Sequence, residues 1–180
     1  FRGENATFNM NVSNNSDSTA KVVAYFDWNG DGDFEEADEM GSSDPIAAMS
    51  VDEAVAITIT VPLDAVTDSL VGARFRVSTD TSTIMGSANG FAMDGEVEDY
   101  LISIKDLDFG DLPDDQIADT PDYATDYDDD GPRHGLAGTP LVFIGTGVEQ
   151  DNDGQASTDA DGDAEEEDVT LPMMLFRGEN

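Results

Sequence analysis

Apolar and polar residues alternate with period two wherever the chain shows a pattern, and that spacing sends every second side chain to one face of an extended strand. In ATFNMNVS, Phe8, Met10 and Val12 alternate with Thr7, Asn9 and Asn11. In AVAITITV, Val55, Ile57, Ile59 and Val61 alternate with Ala and Thr, and ARFRVS turns Phe75 and Val77 inward in the same way. EDYLISI places Tyr100, Ile102 and Ile104 on its inward face. AKVVAYF (20–26), PLVFIG (140–145) and VTLPMMLF (169–176) are further β-type runs. No window carries a 3.6-residue stripe, although residues 64–70, after Pro62, have room for one or two helical turns. These runs predict an all-β chain of antiparallel sheets packed as a sandwich or jelly roll.

Composition divides the chain near Lys105. Residues 106–168 hold 21 of the 41 acidic residues, with Gly and Pro punctuation and one clear apolar run from Leu141 to Ile144. The expected organisation is a β-sandwich over 1–105, an acidic, loop-rich β module over 106–168, and a strand over 169–180 that opens a further unit. That last expectation comes from a repeated pentapeptide: FRGEN stands at 1–5 and again at 176–180, an offset of 175 residues. A chance match at two chosen places is on the order of one in a million for average residue usage. The repeat unit is therefore domain-sized, and Asn180 is expected to run on into another copy of residues 6–20.

Charge narrows the partners. Seven Lys and Arg against 41 Asp and Glu give a formal net charge of −34, which opposes compaction unless cations or water screen it. It also argues against nucleic acid, because phosphate binding needs basic patches. The chain has no Cys, so disulfides and thiolate zinc sites are excluded, and a core, bound metal or assembly has to replace them. No apolar run approaches the roughly 20 residues of a membrane span. A basic start followed by an apolar stretch is also missing, so a secretory signal, if one exists, lies outside these residues.

The acids fall in short spaced groups beside glycine. In DWNGDGDFEEADE, Asp27, Asn29, Asp31, Asp33, Glu35 and Asp38 occupy positions 1, 3, 5, 7, 9 and 12 of a calcium-loop frame, with Gly32 at position 6. Such a frame surrounds a hard cation with oxygens, and glycine permits its sharp turn. The frame departs from the usual one at its end, where Asp38 and then Glu39 replace a single bidentate Glu, and in its flank, where AKVVAYF reads as strand. Weaker copies follow: Asp126, Asp128 and Asp130 before Gly131; Asp151 and Asp153 before Gly154; and Asp159, Asp161 and Asp163 around Gly162. Hydrated acidic turns are the competing reading for each, and a salt-adapted surface is the competing reading for all. Hard oxygen donors select Ca²⁺ or Mg²⁺ over Zn²⁺, and each divalent ion offsets two charges.

GEVEDY at 95–100, with DWNGDGDF about seventy residues earlier, resembles the GEVED domain of large bacterial surface and secreted proteins. DFGDLPD (108–114), DDDGPRH (128–134), DNDGQAS (151–157) and DGDAEEEDV (161–169) resemble its usual companion module, except that EEEDV stands where a DEDG-like string is expected. The resemblance implies an exported, multi-modular, β-rich protein with adhesive or structural roles and no associated reaction. It also implies that Glu96, Glu98 and Asp99 form an acidic signature, one or more of which completes a cation site. The alternative is that they cap strand ends or pair with Arg74 and Arg76.

Three sequons, at Asn5, Asn11 and Asn14, offer glycan acceptors, although an Asn-rich strand and turn explains them equally well. His134 is the single histidine and cannot build a triad or a multi-His site. Carboxylate pairs are too abundant to signal glycoside hydrolysis. Trp28 lies inside the first acidic loop, where packing the loop onto the sheet competes with stacking on a sugar. The expectation is a non-enzymatic, calcium-stabilised repeat of an extracellular filament or surface protein, joined end to end with identical units. In that reading the 169–180 strand covers an open sheet edge of its neighbour. A calcium-dependent adhesin or glycan-binding module is the alternative.

Overall fold

The computed structural model describes residues 1–67, 69–114, 117, 121–138, 142–144, 147–148, 150–160 and 162. The strand expected over 169–180, together with Asp161 and Asp163, lies outside the described residues. The chain forms two compact units that divide after Lys105, and the architecture is all-β with antiparallel sheets.

In the first unit, β1 (Asn5–Asn14) pairs antiparallel with β4 (Ser50–Thr60), from Asn5 opposite Thr60 to Val12 opposite Glu53. A second sheet runs β3 (Met40–Ser42), β2 (Lys21–Phe26), β5 (Leu70–Ser78), β6 (Glu96–Ser103) in spatial order. The alternation expected from sequence builds the layer between the two sheets. Phe8, Met10 and Val12 from β1 and Val55 and Ile57 from β4 meet Val22, Ala24 and Phe26 from β2 and Val71 and Ala73 from β5. Aromatic rings hold its centre: the Phe8 ring lies 4.7 Å from that of Phe26 and 5.7 Å from that of Phe75.

The central strand β2 is buried on both faces, which is why AKVVAYF reads as a continuous apolar run and not an alternating one. Val22, Ala24 and Phe26 face the layer just described. Val23 and Tyr25 face the other way, under Ile84 and Ala88, with Phe34 and Ala92 beside them. Ile84 belongs to α1 (Thr81–Gly86), a short helix that the sequence reading does not anticipate. Asp80 caps it by accepting the Thr83 N–H, and the Tyr25 hydroxyl donates to the Ile84 carbonyl at 2.6 Å. Residues 64–67 and 69–70, where helical turns are expected, contain none.

One expectation holds in part and another is corrected. Tyr100 lies on the inward side, its ring 5.7 Å from that of Phe75, yet it is 51% exposed, because the two-stranded layer does not reach across β6. PLVFIG forms no strand among its described residues: Val142 is 93% exposed, and Phe143 and Ile144 are exposed as well. The second unit instead pairs β7 (Leu107–Phe109) with β8 (Arg133–Gly135), and Asp151 bridges to Leu107 beside them.

Candidate functional site

The loop from Asp27 to Glu39 connects β2 to β3, and carboxylates organise it from within. Asp27, nearly buried where β2 ends, accepts the Asp31 N–H at 3.0 Å on one oxygen and the Gly32 N–H at 3.2 Å on the other. Three tighter turns follow, each closed onto the residue two ahead: Asn29 accepts from Asp31 N, Asp31 from Asp33 N and Asp33 from Glu35 N, at 2.9–3.1 Å. Gly30 and Gly32 take φ of +70° and +94°, the left-handed region in which a side chain is strained. Trp28 fastens the loop to the sheet. It is 3% exposed, stacks on Phe26 at 4.6 Å with 7° between ring planes, and donates its indole N–H to the Asp38 carbonyl. Its ring is therefore not presented to a sugar.

The curled backbone brings oxygens of Asp31, Asp33 and Glu36 within 4.8 Å of one another, all three residues being exposed. Glu35 and Asp38, expected at positions 9 and 12 of the frame, are exposed and outside this trio, and Glu36 takes the place beside Asp31 and Asp33. Glu39 ends the loop, beside β3. It is 1% exposed; its Oε1 accepts the Trp28 N–H at 2.9 Å, while its Oε2 is buried and receives no hydrogen bond. Burial, reinforced by the neighbouring Glu36 carboxyl, pushes the Glu39 pKa up to about 7. Three exposed carboxylates with converging oxygens are the arrangement a hard cation would satisfy.

The acidic signature on β6 does not join this loop. Asp99 makes a two-pronged ion pair with Arg74, 2.8 Å to Nε and 2.9 Å to Nη2, and that partner holds its carboxyl below the usual range. Glu98 accepts the Tyr100 hydroxyl, and Glu96 is exposed at the start of the strand. Arg76 is buried and takes no acid; it donates instead to the carbonyls of Ser87, Asn89 and Gly90 at 2.7–2.9 Å, bracing the chain after α1. The first residue of the signature has a packing role. A Cβ on Gly95, whose φ is +98°, would stand 1.7 Å from the Val77 carbonyl oxygen.

In the second unit the gathered acids are Asp114, Asp126 and Asp129, again with oxygens within 4.8 Å of one another. Of the frame read from sequence, only Asp126 takes part. Asp128 is exposed, and Asp130, at φ +56°, pairs with Arg133 at 3.0 Å. Asp114 is 1% exposed and accepts the Thr125 N–H at 3.0 Å. Asp151 and Asp153 serve backbone: the former accepts Phe109 N, the latter Tyr127 N at 2.7 Å and Gly154 N at 2.8 Å. A Cβ on Gly131 or Gly154 would come within 2.2 or 2.4 Å of the Thr125 carbonyl oxygen, so both glycines let backbone press on one point. Asp159 is exposed.

The sequons differ in what their amides already do. Asn14 is buried and donates to the Ser18 and Ala47 carbonyls at 2.8 and 3.0 Å, while Asn5 accepts from the Thr60 hydroxyl and Asn11 is exposed on β1. His134 is exposed, 3.9 Å from Asp108. No helix among the described residues is long and apolar enough to cross a membrane. Residues 21–103, from β2 through β6, match the family model of the GEVED domain. No curated protein and no solved structure matches the chain.

Proposed function

We propose that this chain is a calcium-stabilised structural unit of an extracellular filament or large surface protein, with identical units joined end to end. One observation carries the calcium part: the Asp31, Asp33 and Glu36 oxygens converge to within 4.8 Å of one another. These three side chains would hold the ion. A bound divalent cation supplies the charge that such a group needs, and binding energy then adds to folding energy. The formal net charge of −34 and the absence of cysteine make that contribution matter. The joining of units rests on FRGEN at both 1–5 and 176–180. No reaction is assigned.

Thermal unfolding of the whole chain tests the calcium part. Calcium at a hundredfold excess over its dissociation constant stabilises the folded state by about 2.7 kcal/mol, enough to raise the midpoint by several degrees. Asp31→Asn is expected to remove most of that rise, and excess EGTA to abolish it. An identical midpoint in millimolar calcium and in EGTA would refute the reading.

A further inference from the structure

The two layers of the first unit are unequal. Two strands, β1 and β4, lie over a sheet of four, and β6 is exposed along seven of its eight residues. Register fixes which side chains are left uncovered. Phe75 pairs with Glu98 and Ala73 with Tyr100, and alternate β5 residues Ala73, Phe75 and Val77 face the β1–β4 layer, so Glu98, Tyr100 and Ile102 face it as well. Above them is a groove of about 390 Å³, and Phe8 and Met10 of β1 line it with Phe75, Glu98, Tyr100 and Ile102. Among the described residues no strand pairs with β1 on the side away from β4, or with β6 on the side away from β5. The free edges of β1 and β6 therefore flank an apolar-lined gap.

The chain's own geometry says what approaches that gap. Residues 1–4 form a turn, with Gly3 at φ +69°, and the Arg2 N–H reaches the Lys105 carbonyl at 3.1 Å, just beyond β6. This turn brings Arg2 to the end of β6, while Gly3 and Glu4 pair with Val61. The same FRGEN recurs at 176–180, directly after VTLPMML, whose alternate residues Val169, Leu171, Met173 and Leu175 are apolar. Seven residues of strand span roughly 23 Å, the scale of the eight-residue β6.

We infer that residues 169–175 of a second copy fill this gap as an added strand on the free edge of β1, covering the inner face of Tyr100 and Ile102. This rests on the end-to-end reading above and specifies its joint. Backbone pairing to β1 supplies affinity, and the apolar floor selects alternate side chains. The occupant carries no charge, so it lies against Glu98 without adding to the repulsion.

The chain has no cysteine, so engineered ones report the contact without background. Asn9→Cys, on the exposed face of β1, is mixed with a second full-length chain carrying Met174→Cys, which alternation puts on the same outward face, and a short bismaleimide is added. Heterodimers are expected at about tenfold the yield obtained when Val142→Cys replaces Met174→Cys, because docking raises the local concentration. Tyr100→Asp on the first chain is expected to return the yield to that background, whereas Met85→Asp, on α1, leaves it unchanged. Circular dichroism establishes that each variant is folded. Equal yields for the two partners, or an intact yield with Tyr100→Asp, overturn the assignment. Light scattering on the same samples separates the two levels: dimers that form while the cross-link yield stays at background keep end-to-end joining and reject this joint.

Discussion

Gly95 shows how a single residue can be required for geometry while its neighbours attract the chemical attention. It combines a left-handed φ of +98° with a Cβ position only 1.7 Å from the Val77 carbonyl oxygen, so any side chain must move the backbone of β5 or β6. Asp94, the residue before it, fixes the same corner by accepting the Thr79 N–H at 3.0 Å and the hydroxyls of Ser78 and Thr79. Gly95→Ala is therefore expected to destabilise the first unit by roughly 2–5 kcal/mol, the range of strained-backbone and overpacking substitutions. Urea unfolding measures it, and a loss below about 0.5 kcal/mol, the scale of a neutral surface change, would contradict the assignment. Gly131 and Gly154 pose the same demand at Thr125. What reads as calcium-loop glycine in DDDG and DNDG is, in this fold, room for close backbone contact.

At the scale of elements, β6 is held to β5 by its ladder and by one cross-strand pair, Arg74 opposite Asp99. The pair is largely exposed, so it contributes at most about 1 kcal/mol. Its pH dependence still has a definite sign. The guanidinium lowers the Asp99 pKa in the folded state below its ordinary 3.8, so near that pH the unfolded chain binds more protons. The contribution is present above the unfolded value and is lost as pH falls through the folded one. Asp99→Asn is expected to flatten the acid limb of a stability–pH curve below about pH 4, a range set by ordinary carboxyl values, while leaving the neutral limb parallel to that of the parent. An unchanged acid limb would mean the pair carries no folding energy. Strands β1, β2, β4, β5 and β6 are legible in the sequence because each is long enough to show alternation or a buried apolar run. The three-residue strands β3, β7 and β8 are too short to carry a period, and α1 buries only Ile84, so it has no stripe. PLVFIG misleads because an unbroken apolar run has no period to test, and Tyr100, on the inward side as its alternation implies, stays exposed because alternation says nothing of how far the facing layer extends.

For the whole molecule, a charge of −34 is managed partly by turning carboxylates onto the backbone. Asp27, Asp94, Asp114, Asp151 and Asp153 all accept main-chain N–H groups, fastening loops that a cysteine-rich chain would close with disulfides. The candidate metal loop is legible as far as its local spacing reaches: Asp31 and Asp33 lie where the frame puts them. Glu36 and Asp114 are not legible, because the path of an irregular loop, and for Asp114 its burial beside Thr125, decides their places, and no short-range pattern encodes those. The hydrogen bond from Arg2 to Lys105 has a mechanical consequence. Both ends of the first unit are tied at one spot, 3.1 Å between nitrogen and oxygen, so tension between them bypasses the folded body. The folded unit then contributes almost nothing to the length of a loaded chain. Once that tie and the adjoining end of the β1–β4 ladder give way, the hundred or so residues between them pay out roughly 350 Å of slack. Single-molecule pulling should register unfolding of this unit as one step of about that size, and a step of half that length would mean that the unit unfolds in parts. A row of such units would behave as a short tether with a large reserve of hidden length.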